Sequence, residues 1–417
     1  MTKLRVKTRF FDKTGDTSYS SKDLRIDGQT QYKPITTPII AMDNREIKRS
    51  DNIAQAATGL NEIYRVHENL DPSKLSKRKK KRTQLRELVK DARKQAIFNN
   101  DVQRQIGKLT GPTIFFTEYK SEKYPQEMER NFMLHTEHTY SEIPCLPITP
   151  VIAKAIIMGE QSFDDYLSFI KGSIAYLKGY NEKPIMGIIV NFGFENLEKL
   201  IELYVDQGIN AFCIDFDCHT PVSHKSALAQ CFRILYDHDM LENSFFYALN
   251  VNQGRFIKNK HVINAKDILS FGFGLDAMGK RHRNQLPLTQ IREKLGSRWE
   301  TLDREENKVR LFIKSDYGYY KAENVNEIRN YPNDTSIPIS IFTHNFSVKN
   351  PHIRHFEKIF NMEQLGLEAF VLRHIVEDDV PVKYLERKQH VNPKDIKQIK
   401  GFRESVTHPQ ASLDELL

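Results

Sequence analysis

Four carboxylates stand out by type and spacing. Glu118 closes an apolar run, TIFFT (residues 113–117), and has Lys120 two residues on. Asp215 and Asp217 close a second run, NAFCIDFD (210–217), and being two apart they share one strand face or its rim. Asp276 follows a Gly-Phe-Gly-Leu stretch, 272–275. Carboxylates grouped at one edge can divide the work, one as a nucleophile and another as a general acid or base. His219, Asn250, Asn252 and Gly274 fall near the same predicted edge. With Asp215 and Asp217 they form the candidate substrate-binding set. His219 and His224 lie close to Asp217, but their spacing fits no standard metal template. No metal and no other cofactor is expected. Cys218 has no base paired with it in sequence, which makes it a poor nucleophile. His344-Asn345 reads equally as a turn or as a mouth contact.

The elements that must carry these residues come from hydrophobic periodicity. Short continuous apolar runs bounded by turn signals predict strands buried on both faces. Such runs occur at 113–117 (TIFFT), 143–148 (IPCLPI), 184–192 (PIMGIIVNF), 210–217, 245–252 (FFYALNVN), 268–278 (ILSFGFGLDAM) and 337–342 (IPISIF). TTPIIAM (36–42) supplies an eighth. Between the third and fourth runs, Leu197, Leu200, Ile201, Tyr204 and Val205 keep the period of an amphipathic helix, and Gly208 ends it. Further helices are expected at 50–67, at 162–180 with Ser162 as cap, at 352–359 and at 362–375. Residues 4–11 alternate weakly, as an edge strand would. Residues 309–320 read as a hairpin.

Strands alternating with helices predict a parallel sheet. Seven or eight of them predict an α/β (β/α)8 TIM-like barrel, with an open doubly wound sheet as runner-up. The expected organisation is an N-terminal basic extension over 1–110, the barrel over 111–385 with a helical and hairpin insertion at about 284–335, and a charged tail over 386–417 that leaves the core. Active sites in parallel α/β folds sit at the carboxyl edge of the strands.

The charge balance points to an anionic partner. Lys and Arg number 62 against 54 Asp and Glu, a formal net charge of +8. Lys77, Arg78, Lys79, Lys80, Lys81 and Arg82 form an unbroken run, and Lys280, Arg281 and Arg283 form a second basic group. Both are candidate phosphate contacts for tRNA or DNA. A basic run at a helix start opposes the helix dipole, so helix stability does not account for the first. The four cysteines are few for 417 residues and suit a reducing, cytoplasmic setting. No apolar run approaches the roughly 20 residues of a membrane span, and no apolar core follows the basic start, so neither a membrane nor a secretory leader is expected. No Gly-x-Gly-x-x-Gly joins an early strand to a helix and no phosphate-binding Gly-x4-Gly-Lys loop occurs. A homodimer is left open.

In order of features the chain resembles the tRNA-guanine transglycosylase superfamily, including its DNA-modifying relatives. Thr36-Thr-Pro38 entering an early strand, the strand-loop-helix over 186–202, the strand end at 250–254, GFGLDAMGKRHR (272–283) and Thr343-His344-Asn345 carry the resemblance. It spans most of 36–375. Where the family has Asp-Ser-Gly-Gly-Phe this chain reads TEYKSE (117–122), and Asp215-Phe-Asp217 replaces a Gly-Gly-Leu loop. The family's Cys-x-Cys-x2-Cys zinc pattern is absent. The resemblance implies base exchange in a nucleic acid, with Asp276 as nucleophile at the sugar C1′ and Glu118 as acid/base. Asp215 or Asp217 would bind the Watson–Crick edge of a purine-like base. Such chemistry needs the target base out of its stack. Two other readings stay open: a barrel enzyme acting on a small anionic substrate, and a non-catalytic nucleic-acid-binding barrel.

Overall fold

A computed structural model describes residues 3–27, 34–69, 84–106, 108, 110–254, 261–283, 309–321, 331–342 and 350–407. The basic run at 77–82, the bulk of the insertion at 284–335 and His344-Asn345 lie outside the described residues.

The weak alternation at the amino terminus gives β1 (Leu4–Phe11), every second residue turned inward. It pairs antiparallel with β2 (Ser20–Ile26), and β3 (Ile35–Thr36) closes the other side of that sheet. The chain then runs through β4 (Ile39–Ile40), β5 (Met42–Asp43) and β6 (Asn61–Glu68) to α1 (Leu85–Leu88), α2 (Ala92–Gln105) and β7 (Thr113–Lys120). Next come α3 (Glu127–Tyr140), α4 (Pro150–Ile157), α5 (Phe163–Tyr180), β8 (Met186–Ile189), α6 (Phe194–Asp206) and β9 (Ala211–Asp215). After these follow α7 (Lys225–Asp237), β10 (Phe245–Leu249), β11 (Val262–Asn264), β12 (Ala277–Met278), β13 (Arg310–Ile313) and β14 (Gly318–Lys321). The described chain ends with α8 (Pro351–Glu377), α9 (Pro381–Glu386) and α10 (Pro393–Thr407).

The fold is mixed α/β with parallel sheets. One sheet has the order β4-β12-β10-β9-β8 and another β5-β6-β7, all pairs parallel. Residues 145–148 bridge to both, Cys145 to Met186 and Ile148 to Glu118, again parallel. Each of β8, β9 and β10 is buried along its whole length, as the continuous apolar runs require. One side of these strands meets helices: Phe212 stacks on Phe246, which packs against Phe232 of α7. On α6 the expected stripe of Leu197, Leu200, Ile201 and Tyr204 is buried. Gly187 in β8 gives that helix room, since a Cβ there would meet the Tyr204 ring at 2.8 Å. Ser162 caps α5 through the Asp164 amide, and β13 and β14 form the expected hairpin. No helix among the described residues is long and apolar enough to cross a membrane.

Several expectations are corrected. Residues 61–68 are a strand, not the end of a helix. Ile63, Tyr64 and Val66 are β-formers, and the full length of β6 pairs with β7. Residues 268–273 form a 3-10 helix started by the Asp267 side chain and stopped by Gly274 in the left-handed region, so only Ala277–Met278 reaches the sheet. Ile339–Phe342 is also 3-10, following Pro338, which cannot donate to a ladder. The two late helices are one, α8, whose Gly366 allows close approach to Ala57. Residues 387–407 do not leave the core: Ile396, Ile399, Phe402 and Val406 of α10 are buried, and Phe402 meets Phe232 and Phe273 edge-on. Residues 408–417 lie outside the described residues.

A candidate active site at the carboxyl ends of the strands

Parallel strands bring their carboxyl ends to one edge, and most of the polar residues singled out above arrive there. Asp43 ends β5, Glu118 lies near the end of β7, Asp215 ends β9, Asn250 follows β10, and Lys280 to Arg283 follow β12. A guanidinium organises them. Arg283 binds Asp215 closely through Nη2 and donates from Nη1 to Asp217 at 3.0 Å. Its Nε lies 3.5 Å from Glu118 Oε1. Burial alone would depress the Arg283 pKa, but Asp215, the Tyr64 hydroxyl and Glu118 hold it above the ordinary value. Asp215 Oδ1 also accepts from Asn250 Nδ2 and from the Asp217 amide, both at 3.1 Å.

Glu118 is fully buried, and its two oxygens differ. Oε2 accepts a 2.5 Å hydrogen bond from the Tyr64 hydroxyl, while Oε1 receives no hydrogen bond among the described residues. Lys120 lies 3.4 Å from Oε1. Burial, then the Glu118 charge, raises the Tyr64 pKa, so the phenol stays a donor. Asp217 is the open member of the set, with its side chain 72% exposed and its backbone at φ 44°.

A second cluster adjoins the first. Glu62 accepts from the Tyr247 hydroxyl at 2.5 Å, from the Lys280 amide at 2.8 Å, and lies 3.1 Å from His282 Nε2. The His282 ring stacks on Tyr64 at 4.1 Å, and its amide donates to Asn250 Oδ1 at 2.9 Å, which ties the clusters together. Gly279 makes room, since a Cβ there would fall on the Tyr247 hydroxyl and Glu62 Oε2. Lys280 Nζ reaches Asp43 at 3.1 Å and Glu46 at 2.6 Å. Asp43, Glu62 and His282 offer donor atoms within 4.8 Å of one another, a set able to hold a divalent cation. The Lys280 ammonium already brings a positive charge to Asp43.

Other candidates sit elsewhere or play smaller parts. Asp276 enters β12 rather than leaving it, so it lies at the amino ends of the strands. There Oδ2 accepts from Lys22 Nζ at 3.0 Å and from the Phe246 amide at 2.8 Å, away from Glu118 and Asp215. Its placement at that end removes the basis for expecting a nucleophile there. Gly274 is at the same end, away from Glu118 and Asp215, where a Cβ would meet the Phe232 ring at 2.9 Å. His219 Nδ1 lies 3.1 Å from the Phe216 carbonyl and the ring sits beside His224. Burial and His219 lower the His224 pKa to about 4, and among the described residues no third ligand joins the pair. Asn252 braces its loop through the Cys218 carbonyl and the Gly254 amide. Cys218 donates its thiol to the Arg283 carbonyl, and burial pushes its pKa up to about 11, which suits positioning rather than attack. Arg281 is exposed.

Glu62, Tyr64, Tyr247, Asp43 and Glu46 were not expected at the site. The i, i+2 spacing of Glu62 and Tyr64 would have shown them on one face had 61–68 been read as a strand. No family model matches this chain, and no curated protein sequence matches it.

Proposed function

We propose that the parallel strands close into an eight-stranded (β/α)8 barrel, and that the chain is an enzyme exchanging a purine-like base in tRNA or DNA with carboxylates at the barrel mouth. Two junctions support closure. Residues 39–43 are continuous, and β4 pairs with β12 while β5 pairs with β6, so a single strand faces both sheets. Residues 145–148 join β7 to β8 on the opposite side. Across the interior, Tyr247 of one sheet bonds Glu62 of the other and its ring packs against Phe116 at 5.0 Å.

The observation that carries an enzymatic reading is the Arg283 clamp. It binds the buried Asp215, donates to the open Asp217 and lies 3.5 Å from the Glu118 oxygen that receives no hydrogen bond among the described residues. Base exchange itself rests on the resemblance, with one change of role: Asp217 takes the place of Asp276. An Asp217 oxygen bonds to the sugar C1′ as the C1′–N bond of the departing base breaks, and Glu118, which must first take up a proton from solvent, passes that proton to the base. The incoming base reverses the step: its nitrogen displaces the carboxylate and its proton passes to Glu118. Val66, Met128 and Phe194 are exposed at the same strand and helix ends, where apolar groups suit stacking with an extruded base.

The test is incorporation of a labelled purine or 7-deazapurine base into tRNA and into duplex DNA. Asp217→Asn and Glu118→Gln should each lower turnover by about a thousandfold or more while polymer binding persists. Wild-type exchange into neither polymer, or full turnover in both variants, rejects the reading.

A further inference from the structure

The carboxylate chemistry leaves one cationic group of the mouth unused. Lys280 follows β12, and Lys358 projects from α8. Both ammonium groups bind the same Glu46 oxygen, at 2.6 and 2.7 Å. Arg281 is exposed beside them and makes no ion pair among the described residues. The three side chains line a cavity of about 110 Å³ between the carboxyl ends of β4, β10 and β12 and the flank of α8.

The cations around this cavity are unevenly held. Lys280 and Lys358 share the Glu46 carboxylate, and Lys280 also reaches Asp43 at 3.1 Å. A third carboxylate, Asp267, lines the cavity and accepts from the Tyr319 hydroxyl. Burial raises its pKa to about 6, so its charge is weakened only as pH falls towards that value. Two ammonium groups drawn to one carboxylate repel each other. Burial first, and Lys280 next, depress the Lys358 pKa accordingly. An incoming dianion relieves that repulsion. In parallel α/β barrels, loops after the last two strands are a common seat for phosphate groups.

We propose that this cavity is a phosphate-binding subsite, in which Lys280, Arg281 and Lys358 hold a phosphoryl group of the substrate. It goes beyond the base-exchange reading and does not depend on it, because its test reads binding and not turnover. The phosphate belongs either to a nucleic-acid backbone or to a free phosphorylated small molecule.

Inorganic phosphate is titrated into the full-length protein at low ionic strength by calorimetry, with chloride as control anion. One saturable site is expected. Lys358→Met should weaken phosphate tenfold or more, Lys358→Arg should stay within about threefold of wild type, and Arg281→Ala, at an exposed position that leaves folding intact, should weaken it at least threefold. A short single-stranded oligonucleotide separates the sources. If its affinity falls in Arg281→Ala and its salt slope drops by about one, the subsite takes a backbone phosphate. If only inorganic phosphate binding falls, the subsite takes a small phosphorylated molecule. Phosphate binding no stronger than chloride, or unchanged in both Lys358→Met and Arg281→Ala, overturns the proposal.

Discussion

Both ends of the parallel strands hold a buried carboxylate against a buried cation, and the two pairs are built differently. At the amino end Lys22 and Asp276 are 4% and 1% exposed. Lys22 also donates to the Ser244 carbonyl at 2.8 Å, and Asp276 Oδ2 takes the Phe246 amide. One acid meets one cation, and the pair fastens the N-terminal sheet to the bottom of the strands. At the carboxyl end one guanidinium serves three acids, one of them open to solvent, with Lys120 as a second cation at Glu118. Glu118 Oε1 and Asp276 Oδ1 each receive no hydrogen bond among the described residues, so the two ends differ in their count of charges and not in a spare oxygen. A matched buried pair holds structure in place. An unmatched set costs stability and leaves groups free to act on a ligand. Polarity alone therefore does not mark the site; the stoichiometry of charge and the strand end do.

The largest effect should come from removing the shared cation. Arg283→Met leaves Asp215 buried without its counter-charge and Glu118 with only the partly exposed Lys120, and breaking a buried pair in this way costs about 3–5 kcal/mol. Chemical denaturation should show that loss, and turnover should vanish with it. A variant as stable as wild type would mean the clamp is not electrostatically important and would dissolve the contrast between the two ends.

Lys22→Met tests the other end. It should cost about 3 kcal/mol at neutral pH, while the folded fraction keeps its polymer affinity and turnover. The sign with pH is informative. Burial raises the Asp276 pKa and Lys22 opposes that rise, so without Lys22 the carboxyl is held protonated more strongly. The deficit should then shrink as pH falls and Asp276 takes up its proton. If turnover instead collapses in soluble, folded Lys22→Met, the amino end belongs to the chemistry and Asp276 returns as a candidate nucleophile.

The sequence showed β7, β8, β9 and β10 because each is apolar on both faces, and it showed Asp215, Asp217 and Glu118 because they end such runs. It hid β6 for a reason tied to the site. Asn61, Glu62 and Tyr64 place polar atoms on a buried strand, and that breaks the apolar signature. Asp276 was misplaced because the Phe-rich stretch at 268–273 mimics a strand. With only Ala277–Met278 in the sheet, the stretch gave no clue to which end the acid occupied. His282 sits within a basic tetrapeptide and read as charge, whereas its role in the fold is a ring stacked on Tyr64. Lys358 carried no local signal, since only tertiary packing of α8 brings it to Glu46.

The smallest effect concerns the Lys280–Glu46–Lys358 group, which sits between the two extremes, partly buried and with two cations on one acid. Burial would raise the Glu46 pKa, but Lys280 and Lys358 lower it to about 2, below the ordinary value of 4.5. The folded state therefore binds the Glu46 proton less readily than the unfolded chain. The resulting stability is fully present above about pH 4.5 and is lost as pH falls towards 2, and it amounts to roughly 1–3 kcal/mol after allowance for partial exposure. Glu46→Gln should remove that component, so the two proteins' stabilities should converge between about pH 4.5 and 2 in urea titrations. Above pH 5 the variant should be the less stable, because Lys280 and Lys358 then repel each other with no carboxylate between them. If phosphate restores part of that loss in Glu46→Gln, the added anion does the work that the carboxylate does in the native chain. Stability curves that stay parallel from pH 7 to pH 2 would show instead that Glu46 is screened like an ordinary surface acid, and that the carboxyl edge holds one unmatched group, the Arg283 clamp, rather than two.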